Sequence, residues 1–257
     1  MRILLTNDDG IDAPGINVLA GYLEENKHQV TIVAPEKEKS ASSHSITINA
    51  PLRVIKKKEN RYAVTGSPAD CIIIAFKVIL KSGCDLVISG INNGPNLGED
   101  VLYSGTVAAA IEAMYFGFPA IAVSLCSKTI NRFETAAHYI SLLLDKNIQE
   151  TISANEILNI NVPAIPIEEI KGIKIAKTGM RKYNNFVTEK KDINGERIFW
   201  LGGDSPEWSN EDDTDIVAVR SDCISITPVA PNFTNFKSFG NLTNWLNRIK
   251  CSEILTS

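Results

Sequence analysis

Residues 3–35, ILLTNDDGIDAPGINVLAGYLEENKHQVTIVAP, decide the fold class, because they place an amphipathic helix between two apolar strands. Residues 3–5 and 30–34 are short apolar runs, which are typical of buried strands. Residues 14–25 carry apolar side chains at helical spacing, and Pro14 stands in the first turn, where proline is favoured. This order predicts a βαβ unit, and strands that are apolar throughout favour a parallel sheet covered by helices on both faces.

The same alternation of strands and helices continues through the first two thirds of the chain. It predicts strands at 85–89, 120–124 and 157–162, and helices at 69–80, 106–116 and 133–144. Residues 44–65 interrupt this order, and we predict there a β excursion from the main sheet, with strands at 45–48, 52–55 and 61–64.

Beyond Pro163 the chain becomes more polar, and it predicts strands at 173–175, 197–200 and 223–227 and a helix at 241–250. We therefore predict one α/β domain over residues 1–257. Its core, about 1–165, is a Rossmann-like, mostly parallel sheet with helices on both faces. The remainder, about 166–257, is a C-terminal β-hairpin and helix extension that could pack on a partner subunit.

The composition of the chain excludes several classes of protein. Hydrophobic residues make up 44% and charged residues 22% of the 257 residues, and the formal net charge is −4, so nucleic acid is not an expected partner. No apolar run approaches the roughly 20 residues of a membrane helix, and the N-terminus lacks a signal-peptide pattern. Five scattered cysteines without a CxxC pair and three unclustered histidines predict neither a disulfide framework nor a zinc site. We therefore expect a cytoplasmic protein that does not contact membranes.

The first of three polar loops is Asn7-Asp8-Asp9-Gly10, which directly follows the first predicted strand. Loops at the carboxyl ends of parallel strands bind the ligands of α/β proteins. Two adjacent carboxylates repel each other unless they share a cation. The alternative is that the carboxylates cap the following helix, but Asp12 stands closer to its start, which favours the metal site.

The second loop, residues 34–45, follows the second predicted strand and contains four serines. By itself, such a segment is more typical of a solvated loop than of a binding site. Its position beside the first loop makes Ser40 a candidate neutral metal ligand. Ser43 and His44 are candidates for the lining of a substrate pocket.

The third loop, residues 89–106, is too long and too rich in glycine and asparagine to be a simple connection. Asn92 and Asn96 offer amide oxygens and donors. Ser104, Gly105 and Thr106 precede an Ala-rich helix, whose free N–H groups form an anion site. Ordinary serine or threonine capping of that helix is the alternative.

Together the three loops predict an oxygen-only metal site that faces an anion site. Oxygen ligands favour Mg²⁺ or Mn²⁺, and a metal beside an anion site suits phosphoryl transfer to water. The chain contains no GxxxxGK[ST], no GxGxxG after the first strand and no GxSxG, so a P-loop, a dinucleotide site and a serine nucleophile are not predicted. The DxD pair of haloacid dehalogenase phosphatases is also absent from residues 7–10.

At these residues the chain resembles the SurE (stationary-phase survival) nucleotidases. The matching segments lie in order along nearly the whole chain: ILLTNDDGIDAPGI (3–16), VAPEKEKSASSHSIT (33–47), GSPADC (66–71), SGINNGPNLGEDVLYSGTVAAAIEA (89–113), LNINVP (158–163) and TDIVAVRSDCISITP (214–228). The resemblance implies a Rossmann-like core and a C-terminal extension exchanged between the subunits of a homodimer or homotetramer.

The resemblance also implies an activity and a ligand set. It implies metal-dependent release of phosphate from nucleoside 5′- and 3′-monophosphates, with short polyphosphate as a further substrate. One divalent ion, Mg²⁺ or Mn²⁺, would be held in each subunit by Asp8, Asp9, Ser40 and Asn92. Ala41 departs from the family, whose members usually have glycine after that serine, and the departure removes no ligand.

From the residues, we expect Asp8 or Asp9 to orient the attacking water or accept its proton, and both assignments stay open. We expect the phosphate to be held by Asn96, Ser104, Gly105 and Thr106. Two other functions are compatible with the pattern: a non-catalytic nucleotide sensor, which the intact ligand set disfavours, and a metal-dependent phosphatase of sugar phosphates or polyphosphate.

Overall fold

Nine strands form one central sheet in the computed structural model, which describes residues 1–127, 129–182, 187–201, 207–208 and 211–249. Four further strands form two small antiparallel pairs. In chain order the strands are β1 (Arg2–Thr6), β2 (Gln29–Pro35), β3 (Val54–Lys58), β4 (Arg61–Val64), β5 (Leu86–Asn93), β6 (Ala120–Leu125), β7 (Ile157–Val162), β8 (Gly172–Ile175), β9 (Arg181–Lys182), β10 (Val187–Lys191), β11 (Arg197–Leu201), β12 (Glu207–Trp208) and β13 (Cys223–Val229).

The helices are α1 (Pro14–Glu25), α2 (Pro68–Ile74), α3 (Gly105–Tyr115), α4 (Phe133–Asp145), α5 (Asp215–Arg220) and α6 (Phe239–Leu246). A π-helical turn, Ala75–Ile79, continues α2. In the part of the chain that the structure describes, no helix is long and apolar enough to cross a membrane. The predicted helices at 69–80, 106–116 and 133–144 are confirmed within a few residues at their ends.

The order of the strands in the central sheet is β3-β4-β2-β1-β5-β6-β7-β13-β8. The run from β4 to β7 is parallel throughout, whereas β3 pairs antiparallel with β4 and β13 pairs antiparallel with β7. The predicted mostly parallel α/β sheet is therefore confirmed.

Helices cover both faces of this sheet because its strands are apolar on both. Ile3 and Leu5 point into one core, which α1 and α4 cover, whereas Leu4 points into the other, which α2 and α3 cover. Successive residues of a strand face opposite sides, so a single apolar run contributes to two cores. The arrangement leaves the carboxyl ends of β1, β2 and β5 as neighbours along one edge of the sheet.

The predicted β excursion is wrong in two respects. β4 pairs in parallel with β2, so β3 and β4 extend the main sheet instead of leaving it. Residues 45–48 form no strand, and β3 starts at Val54. Thr47 donates through its backbone N–H and its hydroxyl to Asp70, at 2.9 and 2.6 Å, and these side-chain bonds replace the ladder that a strand would need.

Strand β5 is longer than predicted, because it runs through the glycine and asparagine residues that open the third loop. Its pairing with β6 shifts register between Ser89 and Asn92. Gly90 allows this bulge: its φ is +138°, and a Cβ there would lie 2.3 Å from the carbonyl oxygen of Val123. The bulge places Asn92 opposite Ser124 in the ladder.

Residues beyond 165 contribute to the central sheet as well as to an extension. Strands β8 and β13 complete one edge of the sheet, and β10 and β11 form the expected hairpin. The predicted C-terminal helix corresponds to α6, which ends at Leu246, and Lys250 lies outside the described residues. Exchange of the extension between subunits stays a prediction.

Candidate active site

The first polar loop is a tight turn that directs two carboxylates away from helix α1. The side chain of Asn7 donates to the carbonyl of Gly10 at 2.8 Å and accepts from the N–H of Gly10 at 3.2 Å. The N-cap of α1 is Ala13, which makes no side-chain cap hydrogen bond. Asp8 and Asp9 are therefore not helix caps, which removes the structural alternative that the sequence had left open.

Asp8 is the buried carboxylate of the site. It is 4% exposed, and its Oδ1 accepts a hydrogen bond of 2.5 Å from the hydroxyl of Thr106 at the start of α3. Burial raises the pKa of Asp8 from its ordinary value to about 6, the hydrogen bond from Thr106 opposes that rise, and the charge of Asp9 adds to it. An ionised Asp8 is therefore costly without a cation beside it.

Asp9 connects the first loop to the end of β5. Its Oδ2 accepts from the backbone N–H of Asn93 at 3.0 Å. The neighbouring Asn92 donates through its amide nitrogen to the carbonyl of Gly94 at 2.8 Å. That bond directs the nitrogen of Asn92 at the protein and leaves the amide oxygen as the atom that a cation would take.

The second loop lies against the first. The backbone N–H of Lys39 donates to the carbonyl of Asp8 at 2.7 Å, so the residue before Ser40 is bonded directly to the first loop. Ser40 is exposed, and its hydroxyl donates to Glu38 at 2.6 Å. The hydroxyl hydrogen is thus engaged, while the oxygen retains the lone pairs that a metal ligand uses.

The four side chains predicted as metal ligands all offer oxygen atoms. Among the residues that the structure describes, no group of three or more His, Cys, Asp or Glu could hold a metal ion. The predicted ligand set contains only two carboxylates, Asp8 and Asp9. Its other two members are the hydroxyl of Ser40 and the amide of Asn92. A buried carboxylate with a raised pKa beside a second carboxylate fits a hard divalent cation.

The start of α3 packs directly against Asp8. Ser104 is the N-cap and accepts from the N–H of Val107 at 3.1 Å, so the capping interpretation holds for this serine. A Cβ on Gly105 would lie 2.7 Å from the hydroxyl oxygen of Ser42 and 3.1 Å from Oδ2 of Asp8. Only glycine allows this close approach, and the positive end of α3 faces the carboxylate.

Thr106, which we had assigned to the phosphate, directs its hydroxyl at Asp8 instead. The structure therefore supports a positioning role for its side chain. Asn96 likewise faces the interior: it donates to the hydroxyl of Ser124 at 2.8 Å, and its backbone N–H donates to Asn161 at 2.9 Å. One N–H of the Asn96 amide thus anchors the third loop to the sheet, and phosphate binding by Asn96 stays a prediction.

Ser43 and His44 lie along the flank of α3. The backbone N–H of Ser43 donates to the carbonyl of Tyr103 at 3.1 Å. The ring of His44 is hydrogen-bonded to the carboxyl group of Glu112 at 2.7 Å and lies nearly parallel to the ring of Tyr115, with 6.3 Å between centroids. The two residues thus connect the second loop to α3 and to the turn before it.

The side chains that hold the third loop in place were not predicted from the sequence. Asn159 and Asn161 on β7 donate to the carbonyl of Asn96 at 2.8 and 3.1 Å. Asp215, fully buried, accepts from the N–H groups of Gly98 and Gly179 at 2.8 Å each. Polar residues within an otherwise apolar buried strand, as in residues 157–162, are the pattern that indicates such anchors.

Known proteins match most of the length of this chain. The model of the survival protein SurE family matches residues 3–185. A protein of Carboxydothermus hydrogenoformans named 5′-nucleotidase SurE is 47% identical over 258 residues, which cover 97% of this chain and 98% of that protein. A protein of the same name from Alkaliphilus metalliredigens is 45% identical and covers 95% of this chain and 98% of its own.

A solved structure has the same fold. The SurE protein from Aquifex aeolicus superposes with a TM-score of 0.85 at 38% sequence identity, covering 95% of this chain and 99% of that one. The three polar loops, the two-faced parallel sheet and these full-length similarities point to one assignment. The chain belongs to the survival protein SurE family.

Proposed function

We propose that this chain hydrolyses nucleoside 5′- and 3′-monophosphates to nucleoside and phosphate, and that it also accepts short polyphosphate. The observation that carries the proposal is the buried Asp8, bonded to Thr106 at the start of α3 and adjacent to Asp9. Relatives that match nearly the full chain are named 5′-nucleotidase SurE, which supports phosphomonoester hydrolysis as the reaction.

The proposal includes one divalent cation per subunit, Mg²⁺ or Mn²⁺, held by Asp8, Asp9, Ser40 and Asn92. When bound, such an ion stabilises negative charge on the phosphoryl oxygens and makes a water molecule more acidic. The raised pKa of Asp8 supports the assignment, because a cation would restore the ionised form that burial disfavours.

Other roles in the reaction belong to side chains around the metal site. Thr106 holds the Asp8 carboxylate through Oδ1, which leaves Oδ2 toward the start of α3. Asp8 or Asp9 orients the attacking water or accepts its proton. Ser104 and Gly105 form the helix end that faces the phosphate, with Ser43 and His44 bordering the nucleoside, while Asn96 anchors the loop.

We propose a homodimer or homotetramer in the cytoplasm as the working form. Exposed apolar side chains of the C-terminal extension support an interface between copies: Phe233, Phe236, Phe239, Leu242, Trp245 and Leu246. Cys71, Cys84, Cys126 and Cys223 are free thiols, which fits a reducing compartment. Light scattering should give a multiple of 28.1 kDa at micromolar concentration, and a mass equal to that of one chain would contradict the assembly.

One rate comparison tests the activity. Phosphate release is measured from 5′- and 3′-nucleotides, sugar phosphates and polyphosphate, before and after EDTA treatment with verified metal removal. We expect nucleotides to be the best substrates, EDTA to abolish turnover and Mn²⁺ or Mg²⁺ to restore it. Full activity without metal would refute the metal site. A preference for sugar phosphates, or nucleotide binding without turnover, would favour the other two hypotheses.

A further inference from the structure

Asp215 is a fully buried carboxylate that lies outside the predicted metal site. Helix α5 is capped by Thr214, so capping is not the role of Asp215. Its Oδ1 accepts from the backbone N–H groups of Gly179 and Ile216, and its Oδ2 accepts from that of Gly98, each at 2.8 Å. Burial raises the pKa of Asp215, and the three N–H groups oppose the rise. Because both oxygens are bonded to backbone in the interior, any influence of Asp215 on the site acts through the segments that it holds.

The three segments that Asp215 joins are in direct contact. A Cβ on Gly98 would lie 2.5 Å from the carbonyl oxygen of Gly179, and a Cβ on Gly179 would lie 2.5 Å from Cδ1 of Ile216. Gly98 also has a φ of +55°, in the left-handed region that favours glycine. The backbone at Gly98 is therefore closely packed at the point where its N–H is bonded to Asp215.

Gly98 begins the segment that leads to the phosphate side of the site. The 3₁₀ turn Gly98–Leu102 is followed by Tyr103 and by Ser104, which is the N-cap of α3. Within this segment the N–H of Tyr103 donates to the carbonyl of Asp100 at 3.0 Å, which keeps the turn compact. The bond at Gly98 therefore fixes where a compact turn begins, and the turn delivers the chain to α3.

Helix α3 itself does not depend on this bond. Eight of its 11 residues are buried, so packing against the sheet holds it. Thr106 lies within the helix, and so does its bond to Asp8 at the metal site. The N–H groups of Ser104 and Gly105, by contrast, have no partner inside the helix, and their directions depend on the backbone that precedes them. A displaced turn would therefore affect the phosphate donors and leave the metal ligands in place.

We infer that Asp215 is a positioning residue for phosphate binding, which acts through Gly98 on the turn that leads to Ser104 and Gly105. The inference rests on the proposed function, in which Ser104 and Gly105 face the phosphate. A carboxylate suits this role, because a charged acceptor forms hydrogen bonds roughly twice as strong as those of a neutral one. The alternative is that Asp215 stabilises the fold and has no influence on the phosphate site.

The test compares Asp215→Asn with Asp222→Asn in the full-length, metal-loaded enzyme. Asparagine has one acceptor oxygen, which can keep the two N–H groups that Oδ1 of Asp215 binds; its amino group then replaces Oδ2, and the bond from Gly98 is lost. Asp222 is the matched control, since it is a carboxylate of the same segment that pairs with Lys171 at 2.9 Å, and its side chain is 40% exposed.

The expected effect is a loss of phosphate affinity in Asp215→Asn only. Because a small misplacement of binding groups can cost about 100-fold, kcat/KM for nucleoside monophosphates should fall by roughly 10- to 100-fold. The Kd of inorganic phosphate, measured by calorimetry with Mn²⁺ present, should rise by a similar factor. Both values should stay at those of wild type in Asp222→Asn.

Two measurements separate positioning from a loss of stability. The Kd of Mn²⁺ without phosphate should be the same in Asp215→Asn and wild type, because the predicted metal ligands lie outside the displaced turn. Ile216→Val removes the Cδ1 that packs against Gly179 and leaves the carboxylate unchanged. It should lower the melting temperature and leave phosphate affinity unchanged.

Hydrogen exchange in the wild-type protein gives a test that needs no variant. If the bond from Gly98 to Asp215 favours phosphate binding, bound phosphate must favour that bond by the same factor. Exchange of the N–H of Gly98 should therefore slow when phosphate is added to the Mn²⁺-loaded protein, and by more than exchange in β7. This measurement decides the question if Asp215→Asn does not fold.

The outcomes distinguish the two levels of the argument. Wild-type phosphate affinity in Asp215→Asn, or exchange at Gly98 that does not respond to phosphate, overturns the inference even if the enzyme is a nucleotidase. An equal loss of phosphate and Mn²⁺ affinity also overturns it, because it shows a general loss of structure. A wild-type protein that binds phosphate but hydrolyses no nucleotide refutes the proposed function, and the phosphate affinities of the variants still decide the role of Asp215. A wild-type protein that binds no phosphate refutes both.

Discussion

Replacing Asp8 by Asn should stabilise the metal-free protein and inactivate the enzyme. The folded state raises the pKa of Asp8 from 3.8 to about 6 through burial, so the metal-free folded protein binds this proton more tightly than the unfolded chain. The associated stability is fully present below the ordinary pKa and is lost as the pH rises through about 6. At neutral pH the ionised carboxylate therefore costs the fold about 3 kcal/mol.

Urea unfolding in EDTA measures this directly. The asparagine does not titrate and can still accept the hydrogen bond from Thr106, so the stability of Asp8→Asn relative to wild type should increase by about 2 kcal/mol between about pH 4 and about pH 7. Asp12→Asn, an exposed carboxylate of the same loop, is the matched control and should show no such increase. Adding Mn²⁺ should stabilise wild type and leave Asp8→Asn almost unchanged.

A stability difference between wild type and Asp8→Asn that stays constant over this pH range would show that folding does not raise the pKa of Asp8. A wild-type protein that is more stable than Asp8→Asn at neutral pH in EDTA would refute the reasoning in the same way. Strong stabilisation of Asp8→Asn by Mn²⁺ would instead remove Asp8 from the ligand set.

Three further substitutions test neighbouring parts of the site. Asp9→Asn should fold, because asparagine can still accept the hydrogen bond from the N–H of Asn93. Its kcat/KM should fall on the order of 10²-fold or more, equivalent to about 3 kcal/mol. Wild-type turnover at limiting metal would contradict this prediction. Gly105→Ala should destabilise the folded protein by about 1–3 kcal/mol and reduce turnover, because the new Cβ would lie 2.7 Å from the oxygen of Ser42. An unchanged melting temperature in a thermal shift assay, together with unchanged steady-state rates, would contradict this. Ala41→Gly should stabilise the folded protein by about 0.5–1 kcal/mol in urea titrations, because φ is +54° at this position and glycine adopts such a φ without strain. A loss of stability would show that the greater backbone entropy of glycine in the unfolded chain outweighs this gain.

Much of the candidate site could be predicted from local sequence, because its residues follow strands. Asp8 and Asp9 follow β1, and Asn92 lies near the end of β5. Because β1 and β5 are parallel neighbours, their carboxyl ends lie at the same edge of the sheet, which brings these residues to that edge. The helix that begins at Gly105 was predicted within one residue, since an Ala-rich segment after serine has strong local preferences.

Local preference failed where a distant partner competes with it. Residues 45–48 have the alternation of a strand, but Thr47 bonds to Asp70 instead, and no strand forms. The third loop, predicted at residues 89–106, begins later, because the bulge at Gly90 lets β5 continue beside β6, close to the carbonyl of Val123. Asp70 and Val123 are far in sequence from Thr47 and Gly90, so the local periodicity of the sequence could not predict either contact.

By itself the sequence determined the α/β class, the parallel core and the three loops that meet at its edge, because strand and helix periodicity and chain order dictate these. Only the tertiary structure decided what each side chain does there: the hydroxyl of Thr106 donates to Asp8, and the amide of Asn96 anchors its loop to Ser124. Hydrogen bonds are directional and act over about 3 Å, so their assignment depends on how separate segments pack and not on the order of residues along any one of them.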